Sequence, residues 1–446
     1  MLFTTDKQTL DDLNIFGKHG SDSLFNIFNR CATRGGAAVL EDMFRYPLSD
    51  HETINRRSAI ISYFASLDKA FPFPSTHFDA IEPYMANRDE RTKLTQENNT
   101  LGRKMGNLIA PDNTTQMIMK GVSSLIDLLQ GCRDFMQQLS LADDHPYSRE
   151  KATIQSILYL PVFEEALNLK GKPGFSQMAE LDIIFRFRFR EEIQKLVQRV
   201  YHLDLYMSIA KVAGERNFSF ANALPGHTLR VKLEQVFHPG VPKAVPNNIR
   251  INPDGNVIFL TGANMAGKST FMKSLSIAMF LAHMGFPVPA ASMEFSVMDG
   301  IYTTINLPDN LGMGASHFYA EVLRVKKMAA ELSAGKKLFI VFDELFRGTN
   351  VKDAYEATIA ITKGFARRHN SLFVISTHII EAGDVLKADT PNVRFVYLPT
   401  RMNGNMPVYT YTLEEGVTDD RHGMIIINNE GILDILEAGI QQTQPA

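Results

Sequence analysis

From Leu24 to about Leu224, apolar residues recur at spacings of three and four, as in Leu24, Phe25 and Phe28, and again in Ile193, Leu196, Val197, Val200 and Tyr201. Such a period lines apolar side chains along one helix face, so it predicts a mainly helical half. Pro47, the run FPFPS (71–75) and the turn Pro111-Asp112-Asn113 divide this half into several helices joined by loops. The segment FRFRFR (185–190) alternates with a period of two, which alone would suggest a strand. The helical spacing that follows instead predicts a long helix running through it.

Around 222–225 the pattern changes. Gly226, Pro239, Gly240, Pro242, Pro246 and the turn Pro253-Asp254-Gly255 crowd together and mark a domain boundary. Beyond it, the apolar runs NVIFL (256–260), KLFIVF (337–342) and SLFVIST (371–377) alternate with helical stretches, one of them expected from about Lys268 to His283. Short runs rich in Ile, Val and Phe, separated by helices, predict a parallel sheet buried on both faces. The expected fold class is therefore α plus α/β, with a helical domain over 1–225 and an α/β domain over 226–446.

Composition narrows the class. The 446 residues suit two or three domains, and 45% hydrophobic with 21% charged residues excludes disorder or a fibre as a description of the whole chain. A formal net charge of −3 gives no global basic field, so any polyanion site must be local. Cys31 and Cys132 alone cannot make a disulfide framework or a Cys-rich zinc site. The start, MLFTTDKQTLDDLNIFG, carries acids and no signal-peptide core, and no later run is apolar enough to cross a membrane. A soluble cytoplasmic protein without a membrane segment is expected.

The chemistry concentrates in the second half. GANMAGKS (262–269) fits G-x-x-x-x-G-K-[ST], directly after an apolar strand and at the start of a helix. Inward-pointing N–H groups of such a loop wrap a triphosphate, glycines permit the turns, and the helix N-terminus adds partial positive charge. Gly262, Asn264, Met265 and Gly267 belong to the loop; Lys268 would reach the β- and γ-phosphates and the Ser269 hydroxyl would ligate Mg²⁺. LFIVFDE (338–344) ends in two acids at the carboxyl end of a strand, where open α/β sheets place ligands. Asp343 would hold Mg²⁺ through its water shell, and Glu344 would orient and deprotonate the attacking water. The strand SLFVIS ends at Thr377-His378, and a histidine there can sense or polarise a γ-phosphate.

A second Gly-rich turn, GMGASHFYAE (312–321), feeds another helix and offers another anion nest. It makes sense over the nucleotide of a facing subunit; the alternative is a plain helix cap with Ser316 as the N-terminal hydroxyl.

These motifs resemble those of the MutS family of DNA mismatch-repair ATPases, a branch of the ABC-type ATPases. TGANMAGKST (261–270) is similar to the family's TGPNMGGKST, DELFRGTN (343–350) to DEIGRGTS, STH (376–378) to ATH, and GASHFYAE (314–321) to G-x-S-T-F-x-x-E. HPGVPKAVPNNI (238–249), SLFNIFNRCATRGGAAVLEDMFRYPLSDHETINRR (23–57) and LDLYMSIAKVAGERNF (203–218) also resemble family segments, so the likeness covers most of the chain. It implies a helical core and lever followed by an ABC-type P-loop ATPase. Asn264, Gly267, Lys268, Ser269 and Thr270 would hold ATP and Mg²⁺, Asp343 and Glu344 the metal and water, and His378 the γ-phosphate region. Ser316 would reach across a nucleotide-dependent homodimer to the partner's ATP. Double-stranded DNA and repair proteins are the implied partners.

Ala263 and Ala266 depart from the loop consensus at variable positions, while Phe346 stands where the family has Gly, and Asn350 where it has Ser or Thr. The chain begins almost at the helical core, so a mismatch-reading domain is not expected and the DNA clamp is expected to be reduced or missing. Basic candidates for DNA are Arg103 with Lys104, and the set Arg186, Arg188, Arg190, Lys195 and Arg199; a solvated charged face with Glu191 and Glu192 is the alternative. The expected function is an ATPase coupling ATP binding and hydrolysis to a conformational switch on double-stranded DNA, related to mismatch repair. The alternatives are a MutS-like ATPase acting on branched DNA or another macromolecule without recognising mismatches, and an ATP-binding structural partner with little turnover.

Overall fold

In the computed structural model the described residues are 3–17, 23–95, 113–225, 229–305, 317–346, 348–404, 406–418, 431–433 and 435–436. Packing divides the chain into two compact units, Phe28–Met43 with Ala59–Val212, and Met1–Ile27 with Phe44–Ser58 and Ala213–Ala446.

The first unit is helical. Its helix Asn113–Gln138 buries Ile118, Val122, Leu125, Leu129 and Phe135. Those positions recur at three- and four-residue spacing, which is why this stretch is a helix and which face it buries. Gly121 permits the close approach of the helix Ser75–Ala86, because a Cβ there would stand 2.3 Å from the Tyr84 ring. Asp204 ties the chain entry to the helix Arg190–Arg216: its carboxylate accepts from the backbone N–H groups of Ala32 at 2.9 Å and Thr33 at 2.8 Å, and from the Thr33 hydroxyl at 2.6 Å.

The FRFRFR segment is helical, as its flanking periodicity predicts, but not as one regular α-helix. A π-helical turn over Ile184–Arg188 joins Phe175–Ile183 to Arg190–Arg216, and the Phe189 N–H bonds the Ile184 carbonyl at 2.8 Å. The extra residue in the turn sends both Phe185 and Arg186 inward, where they are 0% and 1% exposed.

The second unit is built on a six-stranded sheet. Its order is Glu414–Glu415, Val393–Leu398, Val257–Gly262, Leu372–Ser376, Leu338–Phe342 and Gly300–Thr304. All neighbours pair in parallel except the edge strand Glu414–Glu415. Every residue of Val257–Gly262, Leu338–Phe342 and Leu372–Ser376 is buried, the pattern of strands covered on both faces. A four-stranded sheet of Asn222–Leu224, Ser292–Ser296, Val231–Val236 and Asn247–Ile251 belongs to the same unit.

Grouped by packing, the segment Met1–Ile27 and the stretch Phe44–Ser58 fall with the sheet unit. Residues 4–12 lie against the edge strand Gly300–Thr304 of the sheet unit, where Thr4 bridges Gly300. The Asp12 carboxylate accepts from the Thr303 hydroxyl at 2.8 Å and the Ile305 N–H at 2.9 Å. An open edge leaves N–H groups unpaired, and this N-terminal segment supplies acceptors for them. No helix among the described residues is long and apolar enough to cross a membrane.

Candidate functional site

The central strand Val257–Gly262 runs directly into the glycine loop, and Gly267 is the N-cap of the helix Lys268–His283, the bounds that periodicity predicted. The loop takes positive φ at three places, the first being Gly262 at +151°. Gly267 has φ +99°, and Met265 takes φ +68° with its side chain 74% exposed. A Cβ on Gly267 would stand 3.0 Å from the Tyr411 ring, so the residue is fixed both by conformation and by close approach.

Lys268 is buried beneath the loop. Its ammonium donates to the carbonyls of Gly262 at 2.8 Å and Ala263 at 3.1 Å. Burial pulls its pKa below the ordinary lysine value, against the pull of Asp343 and Glu344 in the other direction. The Ser269 hydroxyl donates to Asp343 Oδ2 at 2.5 Å. Burial raises the Asp343 pKa above the ordinary carboxylate value, opposed by this hydrogen bond. Two oxygen donors in contact, one hydroxyl and one carboxylate, are a set that suits a hard cation such as Mg²⁺, which keeps most of its shell as water and phosphate.

Glu344 follows Asp343 at the carboxyl end of Leu338–Phe342 with φ +56°, and its N–H bonds the Ser376 carbonyl at 3.0 Å. Held this way, its carboxylate Oε1 meets His378 Nε2 at 2.9 Å. Adjacent strands thus bring two residues distant in sequence into one pair. The Phe346 and Asn350 departures both have local partners. Phe346 has φ +63°, is 3% exposed, and packs edge-on to Phe318 with ring centroids 5.8 Å apart. Asn350 caps the helix Val351–Ala366 by accepting from the Asp353 N–H at 2.9 Å.

Asn264, Met265, Gly267, Lys268, Ser269, Thr270, Asp343 and Glu344 line one cavity of about 540 Å³. Gly262 is not among its lining residues but contributes the carbonyl that holds Lys268, and His378 reaches it through Glu344. Ser316 and its Gly-rich turn, with Arg103 and Lys104, lie outside the described residues. The opposite wall is formed by residues that sequence reasoning gave no role, among them His238, Val241, Lys243, Val245, Asn247 and Tyr411. Asn247 joins the two segments by donating to the Tyr411 carbonyl at 2.9 Å and accepting from the Leu413 N–H at 2.6 Å. Only the likeness of 238–249 to a family segment pointed there; nothing marked Tyr411.

The basic set proposed for DNA does not survive whole. Arg186 is buried, donating through Nε and Nη2 to Asp182 at 2.7 and 2.6 Å and through Nη1 to Thr92 at 2.8 Å, so it cannot meet a phosphate. Arg188, Lys195 and Arg199 are exposed, and Arg190 is half-buried.

The fold and site define a mixed helical and α/β protein whose glycine loop, strand-end acids and buried lysine converge on one cavity. The MutS domain III model matches residues 8–210 and the MutS domain V model residues 258–442, and the chain belongs to the MutS family. It is 29% identical over 262 residues to the DNA mismatch repair protein MutS of Persephonella marina, covering 57% of this chain and 30% of that protein. Over 278 residues it is 28% identical to the DNA mismatch repair protein MutS of Staphylococcus aureus, covering 59% and 31%, and over 284 residues it is 27% identical to that of Streptococcus gordonii, covering 60% and 33%. The matched region thus spans about a third of the length of these relatives.

Proposed function

We propose that this chain is an ABC-type P-loop ATPase that binds and hydrolyses ATP with Mg²⁺ and couples the cycle to a conformational switch on double-stranded DNA. The observation that carries this reading is the convergence of Lys268, Ser269, Asp343 and Glu344 on one 540 Å³ cavity at the start of a helix. The loop N–H groups and the helix N-terminus bind the phosphates, and Lys268 exchanges the Gly262 and Ala263 carbonyls for phosphate oxygens. Ser269 and Asp343 would hold Mg²⁺, whose charge would offset that developing on the phosphates. Glu344 orients the attacking water and accepts its proton, while His378 fixes the Glu344 carboxylate at one oxygen. Tyr411, beside Gly267 on the cavity wall, offers an aromatic face to the base.

In this reading Ser316 contacts the ATP of a second copy, so that nucleotide favours the dimer. ATP then biases the helical unit only as far as it binds one arrangement more tightly than another. The relatives' name puts mismatch repair first among the DNA processes.

Steady-state phosphate release comparing the wild type with Glu344→Ala tests the chemistry. A drop of about a hundredfold or more is expected; equal, background-level rates in both would leave an ATP-binding structural partner. Fluorescence anisotropy with homoduplex, mismatched and branched DNA, with and without ATP and across a salt series, tests the partner. Mismatch preference beyond a few-fold supports the mismatch-repair role, and preference for branched DNA supports action without mismatch recognition.

A further inference from the structure

Within the helical unit, the helices Ser75–Ala86 and Arg190–Arg216 flank a groove of about 310 Å³ whose lining includes Glu82, Met85, Arg190, Gln194, Gln198 and Tyr201. Arg190, Gln194 and Gln198 recur every four residues, so they stand on one helix face about 6 Å apart along the axis. The guanidinium of Arg190 is anomalous. Its Nε and Nη1 are shielded from water yet have no hydrogen-bond partner among the described residues. Buried donors in folded proteins are nearly always paired, because leaving them unpaired is unfavourable.

The surroundings deepen the anomaly. Burial, followed by the charges of Arg88 and Arg186, holds Arg190 below the ordinary arginine range. The nearby acid is already engaged: Asp182 accepts from Tyr84 Oη at 3.0 Å, the Leu94 N–H at 3.2 Å, and Arg186 Nε and Nη2. Glu82 belongs to the other end of the groove, where its Oε1 accepts from the Tyr201 hydroxyl at 2.8 Å. Tyr201 sits about 16 Å along the helix from Arg190. Arg190 therefore has two cations for neighbours, while Asp182 is committed to Arg186, Asp89 to Arg91 and Glu82 to the far end of the groove.

We propose that the Arg190 end of this groove is an oxyanion site that takes a phosphate group, bound by the Arg190 guanidinium once its side chain turns out of its unpaired pose, with Gln194 one turn along the same groove wall. A phosphate fits better than a carboxylate, because its tetrahedral oxygens can accept from donors in several directions, and a free phosphate also carries up to two charges against the neighbouring cations, a backbone phosphodiester one. The phosphate is either a free one or part of a nucleic-acid backbone. The site lies in the helical unit and uses no residue of the glycine loop, so it stands independently of the nucleotide reading.

The test uses the full chain carrying Lys268→Ala, so that the glycine loop contributes as little as possible and equally throughout. Thermal unfolding is measured in inorganic phosphate against KCl of matched ionic strength. Phosphate should raise the midpoint by at least about 2 °C. Adding Arg190→Met should abolish that rise while leaving the phosphate-free midpoint unchanged or higher, since an unpaired buried charge is removed. Arg190→Gln, which keeps neutral donors, serves if the Met variant fails to fold, with circular dichroism as the check. Anisotropy with a 30-base-pair duplex in low salt separates the sources. Weaker duplex binding in the Arg190 variant, with the phosphate rise lost, assigns the site to backbone phosphate; unchanged duplex binding with the rise lost assigns it to free phosphate. No phosphate rise, or an equal rise with and without Arg190, would overturn the proposal.

Discussion

His283 closes the helix that begins with Lys268, and its burial makes the stability of the sheet unit depend on pH. The ring is 0% exposed, with Nδ1 bonded to the Met279 carbonyl at 2.7 Å and Nε2 accepting from the Met298 N–H at 2.9 Å. It lies between Phe3 and Phe295, each with its ring centroid 4.9 Å away. Both nitrogens are thereby committed to the neutral form, because a proton on Nε2 would face the Met298 N–H. Burial pushes the pKa down to about 4 from 6.5. The unfolded chain takes up this proton below about pH 6.5, whereas the folded protein takes it up only near pH 4. Unfolding therefore binds one more proton in that window, and stability falls as the pH drops through it, by about 1.4 kcal/mol per unit. The whole loss is about 3 kcal/mol, complete below about pH 4, and about 2 kcal/mol of it falls between pH 7.5 and 5, before most carboxylates titrate.

The assay is urea unfolding followed by circular dichroism, since the chain has no tryptophan. It compares the wild type with His283→Gln, a neutral replacement that keeps one donor and one acceptor. The variant should be less stable at pH 7.5 but should lose about 2 kcal/mol less than the wild type on going to pH 5. Parallel pH curves for the two proteins would refute the account. Hydrogen exchange over 271–284 should show the acid-induced opening in this helix.

Other consequences are more local. Lys268→Ala removes a charge-assisted contact worth about 1.5–3 kcal/mol, so ATP affinity measured by calorimetry should fall at least about tenfold and to undetectable levels if the lysine also orders the loop; an affinity equal to that of the wild type would contradict the site. Asp204→Ala strands the donors of Ala32 and Thr33 and should destabilise the helical unit by about 3 kcal/mol in a denaturation experiment, with Asp204→Asn recovering part of the loss. Phe346→Gly relieves a left-handed backbone by about 1 kcal/mol but empties a buried ring site worth about 3–5 kcal/mol, so a net loss of about 2–4 kcal/mol is expected in the same experiment.

The elements nearest the cavity were legible because several local signals agreed. The run NVIFL, the glycine loop and the helix from Lys268 each carry their own propensity and periodicity, and they follow one another without a break. Asp343 and Glu344 were legible for the same reason, as acids at the end of an apolar strand. The π-turn at Ile184–Arg188 was not, because alternation and helical spacing overlap there and only the pairing of Arg186 with Asp182 determines which side chains turn inward. Counting charges offered Arg186 as one candidate for DNA, beside the alternative of a solvated charged face; its burial against Asp182 fits neither. Tyr411 and Asn247 were silent in the sequence, since each is an ordinary residue until two distant segments meet across the cavity.

By itself, then, the sequence determined a helical part followed by a parallel-sheet part, the glycine loop, and the two acids at a strand end. These depend on neighbours within a few residues, and short-range spacing records them. Tertiary structure alone decided that residues 4–12 belong with the sheet, that His378 holds Glu344, that a buried histidine closes the Lys268 helix in its neutral form, and that Arg190 Nε and Nη1 have no hydrogen-bond partner among the described residues. Each of these depends on which groups from distant parts of the chain are brought out of water together, and burial with its pairing requirement is a property of the packed molecule.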